Sequence, residues 1–125
     1  MSEKRKVLVV DDAPENLQLI VNILKDEYAL SVATNGEKAL ELAQKIHPSV
    51  ILLDVVMPEM DGYEVCRRLK ADDTTKQIGV IFITSNTDEK NIQTAISLGA
   101  AGYITKPIEP ESLMAKLATY FGGDK

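Results

Sequence analysis

Short apolar runs alternate along this chain with stripes of helical period, and that alternation limits the possible folds more than any other feature. Val7–Val10, Val50–Leu53 and Val80–Ile83 are almost uninterrupted runs of aliphatic and aromatic residues. A strand with one wet face alternates polar with apolar residues, whereas runs like these suit strands buried on both faces. A weaker strand at about Leu30 to Ala33 and a short one at Tyr103 to Thr105 bring the expected number to five. Between and after the strands lie the helical stripes Leu17-Ile20-Val21-Leu24, Ala39-Leu42-Ala43-Ile46, Val65-Cys66-Leu69, Ile92-Ala95-Ile96 and Leu113-Leu117-Tyr120.

The punctuation agrees with this reading. Pro14 suits the start of the first helix, where a missing N–H does no harm. Asn35-Gly36 makes a turn, and His47-Pro48 ends the second helix. Asp61-Gly62 precedes the third helix, Ala71 to Gly79 reads as a polar loop, and Gly99 stops the fourth. Pro110 opens the last helix and Gly122-Gly123 closes it. Five βα units imply an α/β, doubly wound parallel sheet with helices on both faces and right-handed crossovers. The 125 residues fit a single domain, 1–125, with no repeat and no internal linker.

Composition narrows the function. A net charge of −5 argues against a nucleic-acid surface. No run approaches the roughly 18 apolar residues of a membrane span. Met1 to Lys6 is charged, but the apolar run after it is short and ends in two aspartates. It reads as a first strand rather than a secretory signal. Lys4-Arg5-Lys6 reads as a solvated lead-in to that strand. Cys66 is the single cysteine, so no disulfide forms within the chain, and a cytoplasmic location is the default. Cys66 itself reads as a small core residue.

The strand ends carry the chemistry. The first strand runs into Asp11-Asp12, the third ends in Asp54, the fourth in Thr84-Ser85 and the fifth in Lys106-Pro107. In open parallel sheets, ligands bind beyond the carboxyl ends of the strands. Three carboxylates gathered there repel one another. A pair about 4 Å apart costs on the order of 4 kcal/mol at an effective dielectric near 20. They must hold protons or a cation, and a hard divalent ion such as Mg²⁺ suits oxygen ligands. Zinc is disfavoured, because the single histidine, His47, lies at the far end of a helix and Cys66 on an apolar face. Lys106 and Thr84, aimed at a carboxylate and its cation, suit an incoming phosphoryl group. A carboxylate can itself be the nucleophile. There is no glycine-rich nucleotide loop and no Ser-His-Asp set.

VLVVDD (Val7 to Asp12), ILLDVVMPEMDG (Ile51 to Gly62), IFITS (Ile81 to Ser85) and GAAGYITKP (Gly99 to Pro107) stand in that order. With them the chain resembles a receiver domain of two-component response regulators over nearly its whole length, in the manner of single-domain chemotaxis regulators. The resemblance implies a (βα)5 flavodoxin-like fold with strand order 2-1-3-4-5. It implies Asp54 as phosphoacceptor and Mg²⁺, or Mn²⁺ as a substitute, held by Asp12, Asp54, the Val56 backbone carbonyl and, through water, Asp11. It implies Lys106 and Thr84 on phosphoryl oxygens, Tyr103 as an aromatic switch coupled to Thr84, and a cis bond before Pro107. Val56 and Asn86 would tune the phosphate's lifetime, and the apolar Val56 implies slow to moderate loss.

The implied donor is a sensor histidine kinase or a histidine phosphotransfer domain. The implied output is docking of a downstream protein on the face of the fourth helix, fifth strand and fifth helix. No direct nucleic-acid or membrane partner is expected, and the state is a monomer or a weak phosphorylation-dependent dimer. The domain would modify and demodify itself rather than act as an enzyme on another substrate. Two rivals remain. A small-molecule aspartyl phosphatase lacks support, because no acid stands two residues after Asp54. A phosphorylation-independent pseudo-receiver is disfavoured by the intact acidic set. Asp61 to Asp73 (DGYEVCRRLKADD) resembles receivers attached to cyclic-dinucleotide enzymes or hybrid kinases. The chain is therefore either a stand-alone switch or a receiver from a longer protein.

Overall fold

A computed structural model describes residues 4–85 and 89–122. Strands and helices alternate throughout: β1 (Arg5–Val10), α1 (Pro14–Leu24), β2 (Tyr28–Ala33), α2 (Gly36–Ile46), β3 (Val50–Asp54), α3 (Gly62–Ala71), β4 (Gly79–Thr84), α4 (Glu89–Ser97), β5 (Gly102–Thr105) and α5 (Pro110–Tyr120). The five strands form one parallel sheet in the order β2-β1-β3-β4-β5. The order reverses between β1 and β3, so a crevice opens beyond their carboxyl ends.

The strand runs are apolar throughout because each face of the sheet meets its own layer of helices. Within β3, Ile51 and Leu53 join a core with Ala39 and Ala43 of α2 and Val65, Cys66 and Leu69 of α3. Val50 and Leu52 turn the other way, to Leu17, Ile20 and Leu24 of α1 and Leu113 and Leu117 of α5. Full burial of such a side chain contributes about 1.5–3 kcal/mol. The central strands therefore hold the frame on which the polar ends are carried.

The helix ends follow local chemistry. Pro14 and Pro110 occupy the first turns of α1 and α5. The Asn35 and Asp61 side chains accept hydrogen bonds from the backbone N–H groups of Lys38 and Glu64, at 2.8 and 2.9 Å. Each such cap is worth about 1 kcal/mol. His47 ends α2 in the left-handed region (φ 50°) and Gly99 follows α4 at φ 87°.

Three details depart from the sequence reading. β1 begins at Arg5 and β2 at Tyr28, earlier than their apolar runs suggest, because the two pair from Arg5↔Tyr28 onward. Arg5 and Lys6 are thus exposed residues of a strand rather than a lead-in to it. Gly79 belongs to β4, not to the preceding loop, because it pairs with Val50 of β3; Tyr120 lies across it, and a Cβ there would stand 2.1 Å from the phenolic oxygen. Ile96, counted in the α4 stripe, is 66% exposed, so α4 buries only Ala95 fully.

Candidate functional site

β1 and β3 deliver their acids side by side. Asp54 is the last residue of β3 and only 3% exposed, while Asp11, just past β1, is fully buried and Asp12 beside it is exposed. One carboxylate oxygen from each lies within 4.8 Å of the others. The backbone explains the convergence. Asp11 N–H donates to Ala33 O at 3.1 Å and Val55 N–H to Ile83 O at 3.1 Å, so sheet-like pairing continues to the rim. Gly62 lets α3 begin directly against β3. Its N–H donates to Val55 O at 2.8 Å, and a Cβ on it would lie 2.3 Å from Asp54 O.

β4 and β5 supply the remaining groups. Lys106 follows β5, and its N–H donates to Thr84 O at 2.9 Å. Its ammonium donates to Asp54 Oδ1 at 3.2 Å and stands 3.9 Å from Asp11 Oδ2. The Lys106–Pro107 bond is cis. Thr84 ends β4 and, with Tyr103 of β5, Val55, Phe82 and Ala95, lines a narrow cavity of about 10 Å³. Tyr103 also borders a wider groove of about 410 Å³ along β5 and α5. Val56, two residues after Asp54, is 74% exposed. Asn86 lies outside the described residues.

The electrostatics are unbalanced. Burial and then the charge of Asp11 push the Asp54 carboxyl above its ordinary range, against the opposing pull of Lys106 and the Val56 backbone N–H. Among the described residues, Lys106 is the one ammonium paired with these three acids, through Asp54 and Asp11. Such a set is all hard oxygen, partly open to solvent at Asp12, and short of positive charge. These properties fit a divalent cation of the Mg²⁺ type.

Asn16, not singled out from the sequence, also enters the site. Its side-chain amide donates to Asp11 Oδ2 at 3.2 Å, while Ala13 N–H donates to Oδ1 at 2.9 Å. A polar residue in the first turn of a helix carries no signal of its own in the sequence. Gly62 read there only as a helix start.

A five-stranded (βα)5 sheet with paired acids at β1, an acid at β3 and a lysine after β5 defines the class. The family model of the response regulator receiver domain matches residues 7–118, and the chain belongs to that family. It is therefore a receiver domain of two-component signalling. Response regulator PleD of Caulobacter vibrioides is 40% identical over 113 residues, 90% of this chain and 25% of PleD. The chain spans a quarter of PleD's length and at most 49% of several other curated relatives. The chemotaxis protein CheY4 of Vibrio cholerae superposes with a TM-score of 0.89 at 33% identity, covering 94% of this chain and 98% of that one. The receiver of sensor histidine kinase PA1611 from Pseudomonas aeruginosa gives 0.87 at 25% identity, covering 96% and 99%. Among the described residues, no helix is long and apolar enough to cross a membrane.

Proposed function

We propose that Asp54 is the phosphoryl acceptor of this receiver, and that the arrangement of its charge carries the reading. The carboxylate is buried, crowded by Asp11 and paired with Lys106 at 3.2 Å. Its nucleophilic oxygen is held at the end of a rigid central strand. Attack on a phosphohistidine forms the O–P bond as the P–N bond breaks and the imidazole leaves. Lys106 neutralises the incoming oxygens, and Thr84 bonds one of them after transfer.

Asp12, Asp54 and the Val56 carbonyl, with Asp11 behind them, would hold Mg²⁺, or Mn²⁺ in its place. The PA1611 receiver has a magnesium ion coordinated in its active-site cleft. The bound cation would screen the repulsion between acceptor and phosphoryl group.

The product places about −1.5 to −2 charge at the rim. Thr84 and Tyr103 share one narrow cavity, so movement of Thr84 toward the phosphate frees space for the ring. That couples the modification to the surface along β5 and α5, a two-state bias set by a local charge. The domain changes itself and needs no separate substrate. Its donor is a histidine kinase or phosphotransfer domain, met in the cytoplasm, and its output is a protein docked on the α4–β5–α5 face.

Incubation with acetyl phosphate and Mg²⁺, followed by intact mass measurement, tests this reading. Wild type gains one phosphoryl group and Asp54→Asn gains none. Equal gain by both, or none by wild type, contradicts it.

A further inference from the structure

Asp11 is fully buried, and both of its carboxylate oxygens are already held, one from α1 and one from the residue that caps it. The Ala13 N–H fixes Oδ1, and it is a backbone donor that any residue at position 13 except proline supplies. The Asn16 amide fixes Oδ2, and this contact depends on the side chain. Asn16 stands in the first turn of a helix anchored by Leu17, Ile20 and Leu24 in the core. The amide is thus carried on a rigid element rather than a loop.

Oδ2 is also the oxygen 3.9 Å from Lys106. Asn16 and Lys106 approach the same atom, one without charge and one with it. A second lysine or arginine at position 16 would compete with a cation for the acids. An aspartate there would add a fourth like charge. A neutral donor orients the carboxylate and leaves its charge available. Each carboxylate oxygen has about two acceptor sites, so an oxygen bound by one donor can still face a cation or its water.

We propose that Asn16 is a positioning residue for the divalent cation, aiming Asp11 Oδ2 at the space shared with Asp12 and Asp54. The proposal rests on the reading of Asp11 as part of the cation site. It assigns Asn16 no contact with the phosphoryl group. Partners that orient ligands in this way typically change metal affinity by about 10–100-fold when removed.

The test uses Mn²⁺ alone, with free ion followed by electron paramagnetic resonance, and thermal unfolding in a chelator. Asn16→Ala removes the amide, and Asn16→Leu removes it at nearly constant size. Both are expected to weaken Mn²⁺ binding by about 10-fold. Their cation-free unfolding midpoints should stay within about 4 °C of wild type, the shift produced by about 1 kcal/mol in a domain of this size. A merely structural role would lower the midpoint and leave affinity unchanged, which overturns the proposal. Asp11→Asn separates the two readings. If it binds Mn²⁺ as wild type does, the cation site itself is misread. If it loses affinity while both Asn16 variants bind normally, the site stands and the role of Asn16 falls.

Discussion

At the carboxyl edge of the sheet, Asp11, Asp12 and Asp54 crowd against Lys106, and the environment of Asp54 disfavours its charge. At the amino edge the contacts are complementary. Tyr120 donates to Ser49 O at 3.1 Å and packs over Gly79. Phe121 stacks on Tyr28 with centroids 5.8 Å apart, meets Tyr120 edge-on at 4.9 Å, and lies 4.5 Å beneath the Arg5 guanidinium. The same strands run between the two edges. One end holds the last turn of α5 in place, and the other gathers three acids, of which Asp54 and Asp11 lie against Lys106. The contrast teaches that the site's repulsion is tolerated because the buried strands and the aromatic clamp stabilise the frame independently of it.

Substitutions at the two edges should therefore differ in whether they disturb the site as well as the frame. The largest effect is expected from Gly62→Ala. A Cβ 2.3 Å from Asp54 O forces β3 and α3 apart. Overpacking of this kind costs about 2–3 kcal/mol. Denaturant unfolding should show that loss, and the phosphorylation rate should fall with it because Asp54 moves.

Asp54→Asn should do the reverse and raise the stability of the cation-free domain at neutral pH. The sign follows from the raised carboxyl. Its ordinary value is 3.8. Below that, both folded and unfolded chains are protonated and wild type matches the variant. As pH rises toward the raised folded value, the unfolded chain ionises first and wild type loses stability. The gap between the two should open through that window, and Mg²⁺ should narrow it at neutral pH by stabilising wild type. Unfolding curves from pH 3 to 8, with and without Mg²⁺, read both effects. A gap that shrinks as pH rises would contradict the account.

At the other edge, Tyr120→Phe removes the bond to Ser49 O and should cost about 1 kcal/mol. Mn²⁺ affinity should not change, which separates a clamp residue from a site residue. The smallest effect on stability, within about 0.5 kcal/mol, is expected for the exposed Val56→Asn. Its consequence should be kinetic. A side chain able to hold water beside Asp54 should shorten the phosphate's lifetime severalfold, and an unchanged dephosphorylation rate would remove Val56 from that role.

What was legible in the sequence divides along the same line. The strands were visible because burial on both faces leaves no polar residue to interrupt Val7–Val10, Val50–Leu53 or Val80–Ile83. Asp11, Asp12, Asp54, Thr84 and Lys106 were visible because each breaks or ends an apolar run. Asn16 was not, since a polar residue at a helix start is ordinary until its partner across space is known. Gly62 and Gly79 gave no hint of the atoms that exclude a side chain there, because Asp54 O and Tyr120 come from other segments. Ile96 kept the helical period yet faces solvent, because period alone does not say how far a helix's apolar arc is covered.

If the crowded carboxylate at the end of β3 is the group that is modified, a chemical trap will mark it. Borohydride reduction of an acyl phosphate converts the aspartate to homoserine, which peptide mass spectrometry locates. After treatment with acetyl phosphate and Mg²⁺, homoserine is expected at position 54 and nowhere else. Homoserine at position 11 or 12, or phosphate retained on a hydroxyl such as Thr84, would contradict it.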